Sequence, residues 1–120
     1  MDKVVVEDKF SQFTEHWNPK VVGELNGQMV KLVKFKGDFM WHHHDVEDEM
    51  FYVVKGQLIM KLRDGDVTVG PGEFIIIPHG VEHMPTAPEE VHVILFEPAS
   101  TLNTGNLPKT DRTREKLDRL

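Results

Sequence analysis

Apolar residues along this 120-residue chain occur in short runs that turn residues interrupt about every eight to ten positions. The runs are rich in Val, Ile, Phe and Leu, and the clearest cover residues 29–35, 50–54, 58–62, 74–77 and 91–96. Short β-rich runs between regular turns are typical of sandwiches and barrels. The pattern therefore predicts an all-β fold.

Periodicity within the runs also favours strands. In 57–63 the residues Leu58, Met60 and Leu62 share one face, as expected for a half-buried strand. The run 91–96 is apolar at nearly every position, which predicts a strand that is buried on both faces.

Turns and helices complete the predicted elements. Asn26-Gly27 and Asp64-Gly65 are predicted to form type I′ hairpin turns, because these residue types tolerate positive φ. The helix signal is weak between residues 20 and 100, so short helical segments are expected only near the termini. One helix is predicted from the i, i+3, i+7 aromatic stripe of Phe10, Phe13 and Trp17, which is expected to cover an open end of the barrel. The other is predicted over 110–120.

Length and composition narrow the class of protein. The chain is predicted to form a single domain over 1–120, with residues 98–120 wrapping the surface. The absence of cysteine excludes disulfides, thiol catalysis and iron–sulfur clusters. The net charge of −6 argues against a nucleic-acid partner. There is no apolar run of about 20 residues, so a membrane partner is not expected. There is also no signal-peptide pattern, so a cytoplasmic location is expected.

Candidate chemistry lies in a triple histidine, three of the seven histidines in the chain. On a strand, His42 and His44 project together and His43 projects oppositely. With the carboxylate of Glu49 and the distant imidazole of His83 they form a plausible four-ligand set. Such a mixed nitrogen and oxygen set suits Mn, Fe, Ni, Cu, Co or Zn rather than Ca or Mg.

A rival ligand set uses other residues of the same segment. His43 and Asp45, with His83 or His92, would form the two-histidine, one-carboxylate triad of non-haem iron oxygenases. This set leaves Glu49 unexplained. The remaining histidines are predicted to be surface, turn or packing residues. The candidates for a mostly apolar pocket wall are Met40, Met50, Phe51, Met60, Phe74 and Met84.

The full spacing resembles the cupin superfamily. Its first motif, Gly-x5-His-x-His-x(3–4)-Glu-x6-Gly, corresponds to residues 37–56, in which the matching positions are His42, His44, Glu49 and Gly56. The opening glycine, Gly37, stands one residue too close to the first histidine.

The second motif of that superfamily, Gly-x5-Pro-x-Gly-x2-His-x3-Asn, corresponds to residues 72–87. Gly72, Pro78, Gly80 and His83 match, and Ala87 replaces the asparagine. Fifteen residues separate the two motifs, which is similar to the short spacer of single-domain bacterial cupins.

The resemblance implies a cupin-type β-barrel, also described as a double-stranded β-helix or jelly roll. It implies one divalent transition metal per chain (Mn, Fe, Ni or Zn), with His42, His44, Glu49 and His83 as ligands and about two open positions. It also implies a homodimer, and the apolar segment Val4–Val6 is a candidate strand for pairing with a partner's sheet edge.

Two functions are compatible with these expectations. The first is a metalloenzyme that chelates a small oxygenated metabolite, with dioxygenase, oxalate-type or isomerase chemistry. The second is a non-catalytic barrel that binds or senses a metal or small ligand. The sequence does not decide whether the protein is an enzyme, because one fold supports many chemistries.

Overall fold

The computed structural model describes residues 1–120 as one short helix followed by seven antiparallel strands. The elements are α1 (Val6–Phe10), β1 (Lys20–Leu25), β2 (Gln28–Asp38), β3 (Glu49–Lys55), β4 (Leu58–Leu62), β5 (Gly65–Val69), β6 (Phe74–Ile77) and β7 (His83–Pro98). All five apolar runs lie within strands, so the predicted all-β fold is confirmed. No helix has the length and apolar character needed to cross a membrane.

Strand β7 joins the two parts of the sheet. One part consists of β4 and β5, and the first residues of β7 pair with β4. The other part has the order β1-β2-β7-β3-β6, in which the remainder of β7 lies between β2 and β3. Inward side chains from both parts meet in one core, which includes Val33, Phe51, Met60, Val69 and Val93. The sheet therefore surrounds a single apolar interior, as a barrel does.

Alternation along each strand decides which side chains enter this interior. In β3, Glu49, Phe51 and Val53 are buried, and the residues between them are only half-buried. The same alternation holds for residues 91–96 of β7, so the prediction of full burial on both faces is wrong. The outer face is half-buried because Ile94 packs beneath Phe10 and Phe13.

The N-terminal aromatic residues do not form one stripe, because α1 ends at Phe10. Phe10 and Phe13 pack with Leu32 in a small cluster outside the barrel. Trp17 instead enters the main core, where its ring stacks on Phe35 with 4.2 Å between centroids. The three aromatic residues therefore cover two different surfaces of the barrel.

The two predicted hairpin turns differ. Asn26 and Gly27 both have positive φ, 50° and 78°, and join β1 to β2 as a type I′ turn requires. In the second hairpin Leu62 pairs with Gly65, so Arg63 and Asp64 make the turn. Neither residue has positive φ, so the predicted type I′ geometry is wrong there.

Both chain ends differ from the sequence predictions. Residues 110–120 contain no helix, because Arg119 instead forms a parallel bridge with Val21 and the Leu120 amide donates to the Val21 carbonyl at 3.0 Å. The predicted strand Val4–Val6 is also wrong, since Val6 begins α1. Acidic residues in the first turn of α1, Glu7 and Asp8, favour that helix.

Candidate metal centre

The triple histidine is held by a backbone pair rather than by a long strand. The His42 amide donates to the His83 carbonyl at 3.0 Å, and the His83 amide donates to the His42 carbonyl at 2.9 Å. Directly opposed residues of an antiparallel pair project to the same side. The two imidazole rings therefore lie side by side, with 4.3 Å between centroids.

His44 joins this pair because alternate residues of an extended segment share a face. Its ring centroid lies 5.1 Å from that of His42 and 5.7 Å from that of His83. The His44 carbonyl accepts a 2.7 Å hydrogen bond from the Gly80 amide, which fixes the end of the segment. His43 points outward, where its Nε2 bonds the Asp45 carboxylate at 2.9 Å.

Glu49 approaches the histidines from the neighbouring strand. It is the first residue of β3 and faces inward with Phe51. Its Oε1 lies 3.3 Å from His44 Nε2 and 3.4 Å from His83 Nε2. One potential ligand atom from each of the three histidines lies within 4.8 Å of the other two. The structure thus brings together all four residues of the first ligand set.

Hydrogen bonds to backbone carbonyls orient two of the imidazoles. His42 Nδ1 lies 2.8 Å from the Met40 carbonyl oxygen, and His83 Nδ1 lies 3.0 Å from the Val81 carbonyl oxygen. A carbonyl only accepts, so each Nδ1 carries the proton and each Nε2 keeps a free lone pair. This is the tautomer that binds a metal through Nε2.

Several polar atoms at the centre have no hydrogen-bond partner although they are buried: His44 Nε2, His83 Nε2 and Glu49 Oε1. Leaving one such atom unpaired costs about 1–3 kcal/mol, and native proteins rarely leave several together. The unpaired atoms are two imidazole nitrogens and a carboxylate oxygen, which are typical transition-metal ligands. The arrangement therefore fits a divalent metal ion.

The electrostatics favour the metal-binding protonation states. Burial, reinforced by the neighbouring His83, lowers the pKa of His42 to about 4, so the ring is neutral at pH 7. Burial opposes ionisation of Glu49, but the polar side chains of Glu97, His44 and His83 that face it hold the pKa well below its usual range. Neutral imidazole and ionised carboxylate are the forms that ligate metals.

Glu97 is a buried acid beside this centre that the sequence interpretation missed. It is 2% exposed, and its Oε1 accepts a 2.8 Å hydrogen bond from the buried ammonium of Lys31. Burial, and then the charge of Glu49, raise the pKa of Glu97 well above its usual range. Alternation after Val93 and Leu95 already places Glu97 on the inward face, so the signal was present in the sequence.

A small cavity of about 30 Å³ adjoins the centre, with room for about two waters. Its wall includes four aromatic side chains and two acids: Trp17, Phe35, Phe39, Phe51, Glu49 and Glu97. Of the six residues predicted for an apolar wall, only Phe51 lines it. Met60 belongs to the core, and Phe74 is 58% exposed because it occupies the outward face of β6.

The C-terminal segment secures the histidine segment from outside. The Asn106 amide donates to the His43 carbonyl at 2.9 Å, and the His43 amide donates to Asn106 Oδ1 at 2.8 Å. Gly105 has a positive φ of 57° and lies so close that a Cβ there would fall 2.2 Å from the His43 carbonyl oxygen. Residues 105–106 therefore do more than wrap the surface, since they fix the backbone of His43, which lies between two histidines of the cluster.

The rival ligand set is not assembled. His43 and Asp45 bond each other at the surface, outside the cluster of three histidines. His92 lies on the outer face of β7, where its ring stacks on Phe10 and its Nε2 bonds Glu90. The two-histidine, one-carboxylate triad is therefore not supported by the placement of these residues.

The fold and the buried three-histidine cluster define a metal-binding β-barrel protein. A family model for the cupin domain matches residues 29–97, which is more than half of the chain. The chain therefore belongs to the cupin family, and the predicted cupin-type fold is confirmed.

Relatives of this chain include both uncharacterized proteins and dioxygenases. A cupin-2 domain protein from Shewanella frigidimarina is 45% identical, with a TM-score of 0.78 over 79% of this chain and 93% of that one. YdbB from Bacillus subtilis is 32% identical over 65% of this chain and 64% of its own length. A 3-hydroxyanthranilate 3,4-dioxygenase from Jannaschia sp. is 33% identical over 59% of this chain but only 42% of the enzyme. The chain thus spans less than two thirds of these curated relatives.

Proposed function

We propose that His42, His44, Glu49 and His83 hold one divalent transition metal per chain, namely Mn, Fe, Ni or Zn. The observation that carries this proposal is the set of buried, unpartnered ligand atoms that converge at one point. A metal bound there supplies Lewis acidity or activates dioxygen. Four protein ligands around an octahedral ion leave about two positions for exchangeable ligands, as a reactive site requires.

The proposed activity is that of a metalloenzyme acting on a small oxygenated metabolite that chelates the metal. Dioxygenases among the relatives support oxidative chemistry, although oxalate-type and isomerase reactions use the same kind of open site. Phe35, Phe39 and Phe51 give the cavity an apolar wall, which strengthens polar interactions between the site and a ligand. Carbonyls of Met40 and Val81 keep His42 and His83 in the metal-binding tautomer.

The second candidate is a non-catalytic barrel that binds or senses a metal or small ligand. The size of the cavity, about 30 Å³, favours it, because a ligand of more than a few atoms requires the site to open. The two candidates share the metal centre and differ in whether bound ligand is converted.

Elemental analysis of protein purified without added metal tests the centre that both candidates require. We expect about one transition metal per chain. Turnover of the Mn²⁺- or Fe²⁺-loaded protein on catechols, 1,2-dicarbonyls, oxalate and sugar phosphates then separates the candidates. Product formation supports the enzyme, whereas a ligand-induced thermal shift without product supports the binder. A protein that binds none of these metals contradicts both.

A homodimer is also proposed. It is supported by Phe74 and Ile76, which are 58% and 53% exposed on the edge strand β6. Exposed apolar side chains on an unpaired edge are a common basis for association between chains. Sedimentation analysis of the wild-type protein and a Phe74→Lys variant tests this proposal, since the variant is expected to be monomeric.

A further inference from the structure

A second cavity lies between the β1–β2 hairpin and the C-terminal segment. Its volume is about 380 Å³, and it shares no wall residue with the 30 Å³ cavity at the metal centre. Cavities that bind small molecules commonly have volumes of about 300–1,000 Å³. The second cavity therefore has room for a ligand of several atoms, which the first does not. Its walls are Val21, Met29 and Lys31 from the hairpin, with residues 99–102, 114–117 and 119 from the C-terminal segment.

Backbone hydrogen bonds fasten the C-terminal wall of this cavity to the hairpin. The Ala99 amide donates to the Gly27 carbonyl at 2.9 Å, and the Val21 amide donates to the Asp118 carbonyl at 2.9 Å. These two bonds lie at opposite ends of the segment that forms the wall. The cavity is therefore fixed by the fold itself.

Two polar side chains that line this cavity carry buried atoms without a hydrogen-bond partner. Thr101 is only 7% exposed, and its Oγ1 is unpartnered, as is Nε of Arg114. Native proteins rarely leave such atoms unpaired, because an unmade buried hydrogen bond is unfavourable. A threonine hydroxyl and an arginine Nε–H both donate, so together they require an acceptor.

The guanidinium of Arg114 is held in place with one edge free. Its Nη1 donates to the Asp111 carbonyl at 2.9 Å, and the Arg114 amide donates to Asn103 Oδ1 at 2.8 Å. The opposite edge of the planar group, formed by Nε and Nη2, makes no hydrogen bond. Such an edge offers two parallel N–H donors, which match two oxygens of a carboxylate or a phosphate.

The charges around the cavity also favour an anion. Four cationic side chains line it against one acid, and that acid already pairs with a lysine outside the cavity. Lys31 and Arg119 have carboxylate partners elsewhere in the protein. Arg114 and Lys116 have none, so this cavity is locally positive although the chain as a whole has a net charge of −6.

We propose that this cavity is a binding site for a small oxyanion. The anion accepts hydrogen bonds from the free edge of Arg114 and from the Thr101 hydroxyl, and the Lys116 ammonium adds a third positive contact. An anion bound there pairs both donors that the protein leaves unpaired, by hydrogen bonds of the stronger, charge-assisted kind. Phosphate and carboxylate groups share this chemistry. The site is separate from the proposed metal centre and does not depend on it.

Calorimetric titrations of the full chain with sodium phosphate, sodium sulfate and sodium acetate, at constant ionic strength, test the site. We expect saturable binding. Binding of phosphate and sulfate but not acetate identifies a tetrahedral anion as the ligand group, whereas binding of acetate alone identifies a carboxylate.

Two variants remove the proposed donors one at a time. Arg114→Gln and Thr101→Val are each expected to weaken anion affinity by about tenfold or more, the effect of losing a hydrogen bond to a charged group. Arg112→Gln is the matched control. It removes the same charge two residues away, but Arg112 donates to the Asp38 carbonyl and does not line the cavity, so its affinity should equal that of the wild type.

A further variant separates this site from the metal centre. His83→Ala removes a proposed metal ligand and is expected to keep the anion affinity of the wild type, because His83 does not line the second cavity. Circular dichroism of each variant checks the fold. Thr101→Val nearly preserves the shape of the side chain and removes an unpartnered hydroxyl, so it should fold even if Arg114→Gln does not.

Four outcomes would overturn the inference. The first is that none of the three anions saturates the wild-type protein. The second is that Arg112→Gln weakens binding as much as Arg114→Gln, since general charge would then account for it. The third is that folded Thr101→Val keeps its full affinity, and the fourth is that His83→Ala loses it, which would move the anion to the metal centre.

Discussion

His42 and His83 are joined by two reciprocal backbone hydrogen bonds across 41 positions of sequence, at 3.0 and 2.9 Å. This bridge makes their side chains neighbours and sets the rings 4.3 Å apart. Because it uses only backbone groups, the relationship is independent of whether a metal is bound. The barrel thus prepares the centre before any ligand arrives, which lowers the entropic cost of assembling it.

The outcome of removing His83 follows from this geometry. His83→Ala deletes a fully buried imidazole but leaves the backbone bridge, so we expect a folded barrel whose metal content falls from about one per chain to near zero. His43→Ala is the matched control, because the His43 side chain points outward. This variant should keep its metal. Elemental analysis and circular dichroism of both variants measure this, and the reverse pattern would show that the assigned facing is wrong.

Gly105 is expected to be essential for stability. Gly105→Ala places a Cβ 2.2 Å from the His43 carbonyl oxygen at a positive φ, so we expect destabilisation by about 3 kcal/mol or more. Gly27→Ala is the control, since Gly27 also has positive φ but no atom within 4 Å of the added Cβ. The Gly27→Ala variant should have a free energy of unfolding only about 1–2 kcal/mol below that of the wild type. Urea unfolding of both variants tests the difference, and equal losses would contradict the close packing at Gly105.

The metal-free protein should lose stability as the pH falls from about 6.5 to 4. Burial lowers the pKa of His42 to about 4. Between pH 6.5 and 4 this histidine is therefore protonated in the unfolded chain but stays neutral in the folded chain. The free energy of unfolding is therefore highest above pH 6.5 and falls by about 3 kcal/mol as the pH falls towards 4.

Urea unfolding of chelator-treated protein across this pH range measures the loss attributed to His42. The comparison with His42→Gln isolates its contribution, because glutamine does not titrate and the other buried groups remain. Identical pH profiles for the two proteins would show that His42 is not the group responsible.

The buried pair Lys31–Glu97 should show strong coupling in a double-mutant cycle. Lys31→Met and Glu97→Leu each leave one member of the buried pair without its partner, and each is expected to destabilise the protein by about 3–5 kcal/mol. Lys31→Met/Glu97→Leu removes both charges and should be much closer to wild-type stability. Additive losses, measured by urea unfolding, would mean that the 2.8 Å contact contributes little.

Local patterns predicted much of this fold. Alternation at Leu58 and Met60 predicted a strand, and both residues are fully buried in β4. Asn26-Gly27 predicted the first hairpin correctly, because its two positive φ angles depend on the turn residues themselves. The second hairpin was predicted wrongly at Asp64-Gly65, since the pairing of whole strands rather than the dipeptide decides which residues make the turn.

Features that depend on distant contacts were harder to predict. The C-terminal residues form no helix because Arg119 meets Val21, which lies far away in sequence. Glu97 directly follows the apolar run 91–96, and only the register of β2 with β7 reveals its contact with Lys31. Gly105 has no pattern of its own, since its role arises entirely from its approach to His43.

The sequence by itself determined which side chains share a face, because alternation in an extended chain is a property of covalent geometry. It therefore placed His42 and His44 together and set Glu49 on the face of Phe51. Tertiary structure alone decided that these faces meet, that His83 stands opposite His42 and that Glu97 lies beside Glu49. Those relationships depend on strand register and barrel closure, which are set by the packing of the whole core rather than by any local run of residues.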